Sequence, residues 1–199
     1  NTLAQIFDDL LLKGIRNGQM PARSGAAREW FRGQAQSLGK VSEQKILRGD
    51  ADRLKNRSAI GKMYFFTYDA KHKANLPYYD KFPLIFMVGP AKSGFFGINV
   101  HYLPLKLRAE LMDALYNISN NKRYDESTKL NISYNLLKST ENLSGFRPCF
   151  KHYLKSHMRS RFIEVYPSEW DIALFLGAEQ FQGASKTKVW ANSKKKMKG

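Results

Sequence analysis

One cysteine is all that the 199 residues contain, and Cys149 alone cannot close an internal disulfide. Folding must rest on packing, as in proteins of reducing compartments. Long apolar runs are missing as well. None approaches the roughly 18 residues of a membrane span, so no membrane partner is expected. The first residues, NTLAQIFDDLLLKG, carry acids rather than a basic flank and show no cleavage pattern, which argues against a signal peptide. No Gly-rich loop ends in Lys-Ser or Lys-Thr to cradle a phosphate, and no Gly-x-Ser-x-Gly elbow raises a nucleophile. Acidic residues are few: 17 against 33 Lys and Arg, a net charge of +16.

What is present is a basic chain with enough apolar and aromatic content, 43% and 13%, to exclude a wholly disordered protein. The basic excess is thickest from Phe146 onward, where eleven Lys and Arg face four acids. Such a surface attracts polyanions: nucleic acid, acidic protein surfaces or anionic lipid.

The densest aromatic and β-branched stretch runs from Gly61 to Pro104. Lys62–Tyr68, Phe82–Val88 and Phe95–Tyr102 are nearly continuous apolar runs, as expected of strands covered on both sides. The polar, Pro-containing segment Asp69–Lys81 and the turn Gly89–Gly94 separate them. The spacing predicts an α+β fold, a small antiparallel sheet or half-barrel over about 61–102 flanked by helices. Phe65, Phe66, Phe82, Leu84, Phe86, Ile98 and Val100 are its expected core.

Around that sheet the apolar spacing predicts helices near 3–16, 25–38, 104–117, 127–139 and 148–163, with a further start at Pro167–Trp170. Pro104 and Pro148 have the pre-set φ of a first helical turn. Three regions result: a helical N-terminal arm over 1–60, an α+β core domain over 61–178 and a basic C-terminal tail over 179–199. The tail is expected to be mobile, and sparsely packed arms suit a chain that completes its contacts on neighbouring subunits.

Lys151, Lys155, Arg159 and Arg161 fall on one side of the helix predicted to begin at Pro148, with no acid before Glu164. They are the first candidates for a phosphate or other polyanion, and Lys194, Lys195, Lys196 and Lys198 of the tail are the second. Tyr78 and Tyr79, on the polar loop, and Trp190, in the tail, are candidate partner contacts. Catalytic residues are not expected. Cys149 and His152 lie three apart on the predicted helix, as packing neighbours do, and His152 and His157 diverge by about 140° there, poor geometry for one metal. A nuclease would need carboxylates converging on Mg²⁺, and no three acids stand out. Glu43-x-Lys45 sits in a segment poor in apolar residues, and Asp69 and Asp80 suit turn hydrogen bonds. No metal and no cofactor is expected.

Three motifs carry a resemblance: Gly61-Lys62-Met63-Tyr64-x-Phe66-x-Tyr68-Asp69-x-Lys71, then Leu76-Pro77-Tyr78-Tyr79-Asp80-x-Phe82-Pro83-Leu84, then Gly94-Phe95-x-Gly97-Ile98-Asn99-x-His101-Tyr102-Leu103-Pro104. The pattern resembles a family of virion-associated proteins of large contractile-tailed, T-even-type bacteriophages. It continues through Arg108–Tyr116 and reaches Phe181-x-Gly183-Ala184-Ser185-Lys186, about two thirds of the chain, while the first 55 residues match nothing placed. The resemblance implies a non-enzymatic virion protein of the DNA end protector or head-completion type. It would act in the virion and, during assembly, in the host cytoplasm. Its implied partners are double-stranded DNA and other phage structural proteins in a symmetric multi-subunit assembly. A neck, tail or baseplate subunit whose basic surface meets acidic neighbours is the alternative, and a metal-dependent nuclease the remote one.

Overall fold

The structure, a computed structural model, describes residues 3–18, 25–38, 51–119, 145–166 and 169–198. The helix expected near 127–139 and the Glu43–Lys45 pair lie outside the described residues.

The apolar runs do form the centre of an α+β fold, but the main sheet is wider than expected. Its strands are β1 (Leu54–Lys55), β2 (Met63–Phe65), β4 (Leu84–Ala91), β5 (Gly94–Asn99), β6 (Phe150–Leu154) and β7 (Phe162–Val165). They lie in the order β1-β7-β2-β4-β5-β6, every neighbour antiparallel. The sheet is open, not a closed barrel. A separate ribbon pairs β3 (Tyr79–Asp80) with β8 (Phe181–Gln182).

Both faces of the sheet are covered, which explains the continuous apolar runs. Met63, Phe65, Leu84, Phe86, Val88 and Ile98 face the helices, and Tyr64, Phe66, Ile85, Met87, Phe95 and Phe162 form a second, aromatic cluster on the other side. Every residue expected in the core is buried. Each such side chain contributes about 1.5–3 kcal/mol through removal from water.

Helices α1 (Leu3–Arg16), α2 (Gly25–Ser37), α3 (Leu105–Ser119), α4 (Trp170–Phe175) and α5 (Lys186–Lys198) fall on or near predicted spans, except at the C-terminus. Phe7 and Leu10 of α1 and Phe31 and Ala35 of α2 are buried in the same cluster as the sheet residues. Gly14 makes room for that contact: a β-carbon there would lie 2.8 Å from the Phe31 ring. Arg53 adds a buried bidentate pair to Glu169, at 2.5 and 2.6 Å.

Two expectations are corrected. Residues 148–163 are not a helix: a 3-10 turn (Arg147–Cys149) leads into β6, then a second 3-10 turn (Lys155–His157) and β7. Pairing with β5 decides this, because Gly94 admits β6 so closely that a β-carbon there would fall 1.8 Å from Tyr153 O. The C-terminal segment is not a loose tail either. It is the helix α5, docked through buried Val189 and Ser193 and half-buried Trp190.

Candidate nucleic-acid interface

β6 is an edge strand, so its alternate side chains can reach beyond the sheet. Tyr153 turns into the aromatic cluster against Phe95, ring centroids 5.6 Å apart. Lys151, two residues earlier on the same side, places Nζ 4.0 Å from the centre of the Tyr102 ring. Opposite runs the loop 69–78. It is held at its start by Asp69, which accepts from Lys73 Nζ at 3.0 Å and Tyr79 Oη at 3.2 Å and pairs with Arg159 at 3.6 Å. Lys73 foremost, then Tyr79 and Arg159, hold the Asp69 carboxyl below the usual carboxylate range against slight desolvation.

Between loop and strand lies a cleft of about 470 Å³ lined by Tyr68, Tyr78, Tyr79, Tyr102 and Tyr153, with Lys71, His72, Lys151 and His152. Five tyrosines, two lysines and two histidines share one wall set with a carboxylate, the buried Asp80. Burial pushes the Lys151 ammonium down to about 8, and Lys196 of α5 adds like-charge repulsion. Among the described residues no carboxylate oxygen comes within 4 Å of Lys151 Nζ.

Behind the cleft is a polar hub. Asp80 accepts from the backbone N–H of Phe82 (3.0 Å) and Gln180 (3.2 Å), from Asn99 Nδ2 (3.0 Å) and from His101 Nδ1 (2.8 Å). Asn99 Nδ2 also donates to Tyr153 Oη at 3.1 Å. A carboxylate so buried would ordinarily protonate. Burial does push it up, but the charge and hydrogen bond of His101, with Asn99 and Phe82, leave it below its ordinary value. Asp69 and Asp80 therefore do separate work in the loop, as the turn reading expected.

Lys151 reaches the cleft, whereas Lys155, Arg159 and Arg161 are exposed on the connection to β7 and do not share a helical face. Arg159 is further engaged with the backbone carbonyl of Ser156 at 3.0 Å. Lys194, Lys195, Lys196 and Lys198 are exposed on α5, and Lys196 is the one that acts on Lys151. Tyr78 is half-buried in the cleft wall, 6.2 Å from the Tyr102 ring, while Tyr79 is buried. Trp190 docks on its own core: its Nε1 donates to His101 O at 2.9 Å. Tyr68, Tyr102 and Tyr153 were not foreseen in this role, and only the density of tyrosine flanking the polar loop could have suggested them.

Other chemistry is muted. Cys149 is buried and its thiol is pushed up to about 12, far from a reactive thiolate. His152 contacts Lys92 O at 2.8 Å and His157 contacts Asp69 O at 3.0 Å, in different places. Among the described residues no three His, Cys, Asp or Glu gather as a metal site. A larger cleft of about 790 Å³, lined by Leu105, Phe175, Phe181, Lys186 and Trp190, lies where α3, α4 and α5 meet.

Residues 9–198 match the family model described as phage T4 terminal DNA protecting protein. The span takes in most of the N-terminal residues that the motif comparison could not place. No curated protein and no solved structure matches the chain.

Proposed function

The chain belongs to the phage T4 terminal DNA protecting protein family, and from that premise we propose that it is a non-enzymatic phage protein that binds the ends of double-stranded DNA. Family membership carries the reading. The surface supports it: Lys196 repels the Lys151 ammonium, no carboxylate among the described residues pairs with Lys151, and the Tyr78 ring of the same cleft suits a base better than an acidic side chain. Protection by cover needs affinity for phosphates and for the terminus. It needs no bond-making residue. We place its action in packaging and head completion, with other structural proteins of the particle as neighbours. On this reading it resides in the virion, and in the host cytoplasm during assembly.

A gel-shift series on a short duplex at several salt concentrations, with and without Mg²⁺, tests the reading. Each phosphate neutralised by Lys or Arg should contribute about −0.9 to the slope of log affinity against log salt, because counterions are released. The DNA should stay intact with Mg²⁺, and its ends should resist an added exonuclease. Absence of binding at low salt would favour a neck, tail or baseplate subunit, and cleavage would make the protein a nuclease.

A further inference from the structure

We propose that the cleft between the loop 69–78 and β6 holds the last nucleotide of a DNA strand, its base against Tyr78 and its phosphate on Lys151. The inference rests on the end-binding function above and gives that function a site.

Size is the first argument. Clefts of about 300–1,000 Å³ take single small ligands, and this one, at about 470 Å³, can admit a nucleotide but not a duplex. The walls are the second. Tyr102 is buried under Lys151, but Tyr78, tilted 38° to it, keeps part of its ring at the surface, where any base can stack. The third is the cation. Lys151 is held half out of water over an aromatic ring, without a carboxylate among the described residues and repelled by Lys196. An entering phosphate would relieve both costs. Lys71 lines the facing side and adds to the same field, set against the one buried carboxylate of the wall, Asp80, which His101 and Asn99 already engage. The fourth is rigidity. Asn99 fixes Tyr153, and Asp80 fixes Asn99, so the back wall is ordered before a ligand arrives.

A one-nucleotide cleft also selects for ends. To enter from the middle of a duplex a base must be unpaired and unstacked on both sides. A terminal base frays with less cost. Preference for a terminus therefore follows from the size of the cleft and needs no sequence readout.

The test uses a covalently closed minicircle and the same DNA linearised by one blunt cut, with the full-length protein. Wild type should prefer the linear form. Lys151→Met and Tyr78→Leu should each weaken binding to linear DNA about tenfold, while closed-circle binding changes by no more than about twofold. If folded variants keep the full preference for the linear form, the cleft is not the site. If wild type binds both forms equally, end binding itself fails, and with it this proposal. A measurement on wild type alone guards against variants that do not fold. 2-Aminopurine at the terminal position should change its fluorescence on binding, and at an internal position it should not; equal response at both positions overturns the proposal. Free deoxyadenosine monophosphate should displace the DNA poorly. Displacement at concentrations comparable to the DNA would make the occupant a free nucleotide instead.

Discussion

Arg108→Met destabilises the fold by about 3–5 kcal/mol, the range for removing one partner of a buried ion pair. Arg108 is fully buried. Its Nε donates to Leu103 O at 2.7 Å and its Nη1 to Leu174 O at 2.9 Å. Its Nη2 reaches Glu179 Oε2 at 3.3 Å and His101 O at 3.4 Å, and the guanidinium lies 5.5 Å from the centre of the Trp190 ring. One side chain thus ties α3 to the end of α4, to the segment before β8 and to α5. Methionine keeps the unbranched apolar stem and strands the acceptors. The pH dependence identifies the cause. Burial would push the Glu179 carboxyl up, but Arg108 chiefly holds it below its ordinary value, so in wild type this group adds stability above about pH 4. Without Arg108 the desolvation is opposed only by His101, a backbone hydrogen bond and exposed Lys186 at 3.5 Å, and the folded value rises. The variant's deficit should then shrink as pH falls from 7.5 to 5, where Glu179 can bind a proton. Urea unfolding at both pH values measures this. A deficit below about 1 kcal/mol at pH 7.5 would mean that the network contributes little.

The second large effect belongs to Asp80. Asp80→Ala leaves two backbone N–H groups and the His101 ring without their acceptor and takes one of two acceptors from the Asn99 amide, and should cost about 3 kcal/mol or more. Asp80→Asn keeps the oxygen that serves Phe82 and Gln180 but turns a donor toward Asn99 and His101, so a loss of about 2 kcal/mol is expected. The sign with pH follows from the folded carboxyl lying below its ordinary value. Its contribution is present above the unfolded value of about 3.9 and is lost as pH falls through the folded one. Circular dichroism followed from pH 7 to pH 2 should show a weaker acid dependence in Asp80→Asn than in wild type. Equal slopes would remove Asp80 from the acid transition.

The strands of the middle of the chain were legible because both their faces are buried, which turns alternation into unbroken apolar runs. The same physics hid β6. With Phe150 packed toward the helices and Tyr153 toward the aromatic cluster, its apolar residues fall by chance at helical intervals through Met158 and Phe162. Only Gly94 of β5, distant in sequence, reveals that a strand must pass there. The C-terminal helix was masked in another way. Val189, Trp190, Ser193 and Met197 recur on one side of α5, but the lysine run between them reads as solvated tail. As to the candidate site, Lys151 and Tyr78 could be named from the sequence, yet not their meeting. That depends on the loop 69–78 folding over an edge strand some eighty residues away, a non-local event that local pattern does not encode.

The order of the strands also bears on how the protein is made. β7 lies between β1 and β2, and Gln180 closes onto Asp80 across 100 residues. A nascent chain that has emerged only through β5 can zip β2, β4 and β5 into a ribbon, but the open side of β2 waits for residues 162–165. Topologies with such distant pairings fold slowly, and an unpaired hydrophobic strand edge invites association with other chains in the interval. Synthesis must therefore pass Val165 before the core can seal, and ribosome-stalled chains ending ahead of Phe162 should remain sensitive to protease.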